Sequence, residues 1–303
     1  MNKYIISIVG PTGIGKTDLS LSIASEFKTQ IISADSRQFF KEIPIGTSAP
    51  DKTDLKKIPH HFIHHKSIHD NYSVGQFEKD ALIKTEKLFK KHKTLVLVGG
   101  SGLYIKAFLH GLNDFPKIDP IIRVQLNKDL KKNGIEFLQK ELNSVDPISF
   151  SKIDLNNPHK LVRALEIFRG TRKSYSSFLN KTEKQKRDFK IINIGLVADR
   201  SIIYERINNR VDKMIQNGLV QEAKNVYIYR KLNALKTVGY RELFQFFDGK
   251  CELDFAINEI KKNTRRFAKR QITWFKKEEN ITWFDYKTPS KKIISYLKNE
   301  IMD

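Results

Sequence analysis

The chain has 303 residues, 40% of them hydrophobic and 29% charged, with a mean hydropathy of −0.45. This describes a globular chain and excludes wholesale disorder. No apolar run approaches the roughly 18 residues of a membrane helix. The single cysteine, Cys251, excludes an internal disulfide framework, a multi-cysteine zinc site and an iron–sulfur cluster; a cytoplasmic setting with no membrane contact is expected. Lys+Arg is 55 against Asp+Glu 34, a net charge of +21, so the field of the molecule attracts polyanions.

The chain opens with an apolar run, 4–9, too short for a signal peptide and read as a buried strand. It ends in Gly10-Pro11-Thr12-Gly13-Ile14-Gly15-Lys16-Thr17, which fits G-x-x-x-x-G-K-[ST], and a helix-like stretch 16–27 follows. Strands are predicted at 30–34 and 94–98, and helices at 74–91 and 103–109. Continuous apolar runs joined by helices predict a parallel sheet covered on both faces. After a proline-broken loop at 113–120, Lys-rich helical patterns occupy 121–132, 135–142 and 158–169. A strand returns at 190–197, followed by helices at 201–216, 219–230, 240–247 and 252–276. The reading is an α/β, P-loop NTPase-like parallel sheet core with a helical insertion domain: core 1–112, insertion 113–188, core completion with a basic C-terminal region 189–303.

The glycine loop carries specific chemistry. Its glycines allow a tight turn that points amide N–H groups at phosphate oxygens, and the helix start adds partial positive charge. Lys16 supplies a full charge, and the Thr17 hydroxyl suits Mg²⁺. Gly10 through Thr17 are therefore the expected phosphate-binding residues. Asp35 falls at the carboxyl end of the second strand, the edge where open α/β sheets bind ligands. There it can act as a general base, hold Mg²⁺ through water, or cap the next helix. The strand at 94–98 runs into Gly99-Gly100-Ser101-Gly102 and lacks the acidic residue with which NTPases hold Mg²⁺. Four histidines, His60, His61, His64 and His65, alternate faces if they lie on a strand, so packing is expected rather than zinc binding. The aromatics Tyr227, Tyr229, Phe244, Phe246 and Phe247 are expected in the core.

The blocks GPTGIGKT, ISADSRQ, PHHFI, VGGSGLYIKAF, NPHKLVRALEIF, GLVQEA, VGYREL and TRRFAKRQITWF together resemble the tRNA dimethylallyltransferases. These transfer a prenyl group from dimethylallyl diphosphate to the exocyclic N6 amine of the adenosine 3′ of the anticodon (position 37) and release pyrophosphate. The resemblance implies a P-loop that holds a prenyl diphosphate with Mg²⁺. It implies Asp35 as the base, Thr12 at the reaction centre, and Lys16 and Arg210 neutralising the leaving pyrophosphate. It places tRNA contacts at Asp35, Ser36, Arg37, Gln38, Ser101 and Arg123. Further contacts are His159, Lys160, Leu161, Val162 and Arg163, then Lys236, Thr237, Val238, Gly239, Tyr240 and Arg241. The segment from Thr264 to Gln271 completes them, with Arg265, Arg266, Lys269 and Arg270 meeting the anticodon stem-loop backbone while Phe267, Trp274 and Phe275 pack inward. A monomer is expected. The sequence departs from the family pattern at Ser48-Ala49 (usually Ala-Lys), Phe40 (usually Tyr), Ser101 (usually Thr) and His159-Lys160 (usually Gln-Arg). The main alternative is a P-loop kinase of a nucleoside or small metabolite, which shares the glycine loop and the strand-end Asp but leaves the basic C-terminal block without a use. An RNA-binding protein with a relict loop, and prenyl transfer to free adenine nucleotides, are the other readings.

Overall fold

The computed structural model describes residues 2–179 and 187–302. In chain order the elements are β1 (Tyr4–Val9), α1 (Lys16–Glu26), β2 (Ile31–Ser33), α2 (Lys52–Lys57), β3 (His60–His61), α3 (Val74–Phe89), β4 (Thr94–Val98) and α4 (Gly102–His110). Helices α5 (Pro120–Asn133), α6 (Ile135–Val145), α7 (Pro147–Lys152), α8 (Pro158–Thr171) and α9 (Tyr175–Leu179) follow. The chain then forms β5 (Lys190–Val197), α10 (Arg200–Gln216), α11 (Leu219–Val226), α12 (Tyr240–Phe247), α13 (Leu253–Phe275), β6 (Ile281–Asp285) and α14 (Ser290–Met302). Two compact units result, one comprising Met1–Leu109 with Arg187–Asp303 and the other His110–Lys186.

In the first unit the described strands form one parallel sheet in the order β3-β2-β4-β1-β5-β6. Tyr4 of β1 pairs with Thr94 on one side and Lys190 on the other. Every residue of β1 is buried, as a central parallel strand covered on both faces requires. Successive residues alternate between two cores. Ile5, Ile32, Leu95 and Leu97 pack on one face, and Ile6, Ile31, Val96 and Ile194 on the other. Because all pairings are parallel, the residues following β1, β2 and β4 emerge at the same sheet edge.

The edge strands depart from the sequence reading. The pattern 281–285 forms β6 against β5, although its Trp and Phe side chains are only partly buried and no clean alternation marks it. The histidine segment is a strand only at His60–His61; Phe62 and His64 turn left-handed, at φ 66° and 48°. The helix expected over 219–230 ends at Val226 and tightens into a 3₁₀ turn, Tyr227–Tyr229. Phe244 is buried as expected, but Tyr229 is 43% exposed and meets His69 edge-on.

In the second unit Asp119-Pro120, Asp146-Pro147 and Asn157-Pro158 start helices in one way. The Asp or Asn side chain accepts a hydrogen bond from an early helix amide, and the proline fills the first helical position. The core is Leu126, Leu138, Leu142, Leu161, Val162 and Leu165. Arg169 clamps both Glu141 and Asp129, at 2.6 and 2.7 Å.

Candidate active site

The site grows from the three chain reversals at the carboxyl edge of the sheet. After β1, the loop needs glycine at two points in particular. Gly10 (φ 142°) runs so close to β5 that a Cβ would press on the Leu196 carbonyl, and Gly15 (φ 108°) opens α1 in a left-handed conformation. The Lys16 ammonium curls back onto the Gly10 and Pro11 carbonyls, at 2.9 and 2.8 Å. Burial, with Arg210 nearby, pushes Lys16 down to about 7 although Asp35 pulls the other way. The side chain of Ile14 is buried, so that position offers phosphate only its backbone.

After β2, Asp35 accepts a hydrogen bond from the Arg37 amide at 3.0 Å, which closes a turn and leaves the carboxylate on the cavity wall. Asp35 thus caps its own turn and not a helix, since the next helix begins only at Lys52. Arg37 is anchored through two carbonyls, Asn233 and Ala234, both at 3.1 Å. Ser101 accepts from the Ser36 amide at 3.0 Å, so it stitches the β4 loop to the β2 loop. The glycines around it are fixed by close approach. A Cβ on Gly99 would strike the Ala34 backbone, and one on Gly102 the Trp274 indole.

Helix α10 brings Arg206 and Arg210 to the phosphate loop. The Arg210 Nε donates to the Ser48 hydroxyl at 2.8 Å. The Arg206 Nε donates to the Gly13 carbonyl at 2.7 Å, and its guanidinium lies over the Tyr286 ring. Helix α13 contributes Gln271, 6% exposed. Its Oε1 accepts from the Thr12 amide and its Nε2 donates to the Gly100 carbonyl, both at 2.9 Å. Gln271, in the segment expected to touch RNA, is the strut between the phosphate loop and the β4 loop and also lines both cavities.

Two cavities open here. One, of about 470 Å³, is lined by the phosphate loop, Ser33, Gln38, Ser48, Arg206 and Lys213. The other, of about 540 Å³, is lined by Arg37, Ser101, Tyr104, Met214, Lys236, Arg241, Arg270 and Trp274. Thr12, Asp35, Gly100, Arg210, Phe267 and Gln271 line both. A cationic end therefore joins an aromatic, arginine-rimmed end at Thr12 and Asp35. Thr17, Ser33 and Asp35 put oxygen donors on the first cavity, the ligand type Mg²⁺ prefers. No group of three or more His, Cys, Asp or Glu suited to a metal occurs among the described residues.

Of the expected tRNA contacts, Asp35, Ser36, Arg37, Ser101, Lys236, Thr237, Val238, Gly239, Arg241 and Arg270 line the second cavity, and Gln38 the first. Tyr240 does not; it is fully buried and hydrogen-bonded to Glu222 at 2.6 Å. Leu161 and Val162 are core residues of the second unit, while His159 and Lys160 beside them are exposed. Arg123 and Arg163 both pair with Glu166. On α13, Arg265 reaches Asn208 at 2.7 Å, whereas Arg266, Lys269 and Arg270 face outward. Phe275 packs inward, but Phe267 and Trp274 stay about two-fifths exposed and line the cavity instead. No spacing rule marks Arg206 as a phosphate-loop partner. Ser48 and Gln271 carry no sequence signal of their roles.

These features define a P-loop α/β protein whose phosphate-loop cavity shares a wall with a second, aromatic-lined cavity. A family model described as IPP transferase matches residues 38–278. A tRNA dimethylallyltransferase of Christiangramia forsetii is 59% identical over 99% of both chains, and that of Flavobacterium johnsoniae is 54% identical over 97% of both. Among solved structures, the tRNA isopentenylpyrophosphate transferase of Bacillus halodurans superposes with a TM-score of 0.73 at 33% identity, over 99% of this chain and 96% of that one. A eukaryotic dimethylallyltransferase, crystallised acting on tRNA, superposes with a TM-score of 0.84 at 26% identity, over 99% of this chain and 80% of that one. The chain belongs to the IPP transferase family.

Proposed function

We propose that the chain transfers the dimethylallyl group of dimethylallyl diphosphate to N6 of the adenosine 3′ of the anticodon in tRNA, acting as a monomer. The observation that supports this reading is the placement of Thr12 and Asp35 on the wall common to both cavities. A diphosphate in the loop and an adenine in the aromatic cavity would meet there. The extruded base lies among Tyr104, Phe267 and Trp274. Its amine hydrogen-bonds Asp35, and its nitrogen forms the bond to the prenyl C1 as the C1–O bond breaks. The bonding electrons leave with pyrophosphate, and the amine proton passes to the Asp35 carboxylate. Lys16 moves from the loop carbonyls to the phosphates, and with Arg210 it meets charge that grows as the C–O bond breaks, which is differential stabilisation. Thr17 would hold Mg²⁺, which when bound supplies further neutralisation of the pyrophosphate. Gln271 ties up the Thr12 amide, so phosphate binding falls to the remaining loop amides.

The test is to incubate the purified chain with Mg²⁺, dimethylallyl diphosphate and unmodified tRNA, digest the RNA and search for prenyl-adenosine by mass spectrometry. A parallel sample replaces the donor by ATP. Prenyl-adenosine in the first sample is expected. Its absence, with ATP consumed in the second, would replace this reading with that of a kinase.

A further inference from the structure

Two sequence blocks, GLVQEA and VGYREL, are not used by the chemistry above, yet they meet at one buried group. Glu222 of α11 is 8% exposed and accepts three hydrogen bonds. Two come from successive amides of the segment over the phosphate cavity, Ile45 and Gly46, both at 2.8 Å. The third comes from the Tyr240 hydroxyl at 2.6 Å. Both oxygens of the carboxylate are engaged, and each bond to an ionised carboxylate is charge-assisted. Tyr240 also presses on Gly46 so closely that no Cβ fits there. The turn closes on itself through the Ser48 amide to the Ile45 carbonyl, 2.9 Å, and the Thr47 hydroxyl to the Ile43 carbonyl, 2.8 Å. Its product is one side chain in one place. Ser48, at φ 44°, offers its hydroxyl to the Arg210 Nε.

This matters because Arg210 and Asp35 line the same two cavities and attract each other. Left to that attraction, a guanidinium closes onto the carboxylate as a bidentate pair, which would mask both the base and the cation. We propose that Ser48 holds Arg210 by its Nε, away from Asp35 and with its terminal N–H groups directed at the diphosphate, and that Glu222 with Tyr240 is the anchor that sets Ser48. All three are positioning residues. The inference rests on the diphosphate-donor reading.

The experiment measures prenyl-transfer kinetics with Mg²⁺ present, inorganic pyrophosphate binding by calorimetry and tRNA binding by filter retention, for the wild type and three variants. Ser48→Ala is expected to lower kcat and pyrophosphate affinity each by about tenfold, the scale of one lost hydrogen bond to a charged group, with tRNA affinity unchanged. Ser48→Asn keeps an acceptor on a residue type that tolerates positive φ and should restore most of both. Tyr240→Phe, which preserves the packing, should move the same two quantities in the same direction by about threefold. Wild-type values in Ser48→Ala would overturn the bracket alone. A Tyr240→Phe enzyme that loses only tRNA affinity would overturn the anchor and return Tyr240 to the RNA side. A wild type that binds no pyrophosphate would overturn the donor reading itself, and the bracket with it.

Discussion

Asp35 caps its own turn and, in the reaction proposed above, takes the amine proton; a substitution can separate the two. Asparagine still accepts the Arg37 amide bond and so keeps the turn, but it cannot take a proton. Asp35→Asn is expected to lower kcat by about 10²–10⁴-fold, the usual weight of a general base, while tRNA affinity stays as it was; single-turnover kinetics and filter binding check the two halves. Full turnover in this variant would remove Asp35 from the base role. Lys16 supplies a pH signature. In the free protein its ammonium titrates near 7, and a bound diphosphate favours the charged form, so the complex carries more protons than the free protein. Donor affinity is therefore expected to fall as pH rises above about 7, with proton uptake on binding at that pH. Calorimetry in buffers of different ionisation enthalpy reads both, and pH-independent binding from 6 to 9 would contradict it.

At the scale of elements, α13 serves both faces of the site. Its buried side supplies Ala268, Gln271 and Phe275, and Gln271 joins two loops that lie far apart in sequence. Its outer side carries Lys269 and Arg270, with Arg270 over the Phe267 ring. Replacing both by alanine is expected to reduce the salt dependence of tRNA binding by about two in the log–log slope, one for each phosphate left without its cation. Titration of binding against salt checks it, and an unaltered slope would show that this face does not meet the backbone of the RNA. Three other cations of the same helix are unsuited to this test. Lys261 and Lys262 are paired with Asp212 and Glu259, and Arg265 is bound to Asn208. The charge run was plain in the sequence, but which of its members are free to meet phosphate depends on what α10 and α13 itself place beside them.

At the scale of the whole molecule, acid stability should depend on two histidines that the chemistry does not use. His65 sits among the rings of Phe39, Phe62 and Tyr72, at 5.4, 5.3 and 5.1 Å. His61 bonds Gln30 at 2.7 Å. Burial, aided by nearby lysines, pushes each from the ordinary 6.5 down to about 4. Between about 6.5 and 4 the unfolded chain takes up protons that the folded chain refuses, so stability falls as pH falls through that window. His65→Phe is expected to flatten the decline of urea midpoint between pH 7 and 4.5. An unchanged decline would show that His65 titrates normally in the fold.

The order of amino acids was enough for the phosphate loop, the strand-end carboxylate, the parallel α/β core and the family. Each is written locally: a glycine spacing, an apolar run, a block of adjacent residues. The starts of α3, α5, α7 and α8 are written locally too, in a capping side chain or a proline that acts within one turn. Assembly of the fold was needed to settle which of the matched blocks face a ligand. Tyr240, Leu161 and Val162 lie in blocks read as RNA contacts, but a block spans both faces of a helix, and only packing chooses the inward one. The same holds for Gln271, Ser48 and Glu222. Each is a polar residue of ordinary local appearance, and its role comes from a hydrogen-bond partner brought close only when the sheet edge, α10, α11 and α13 come together.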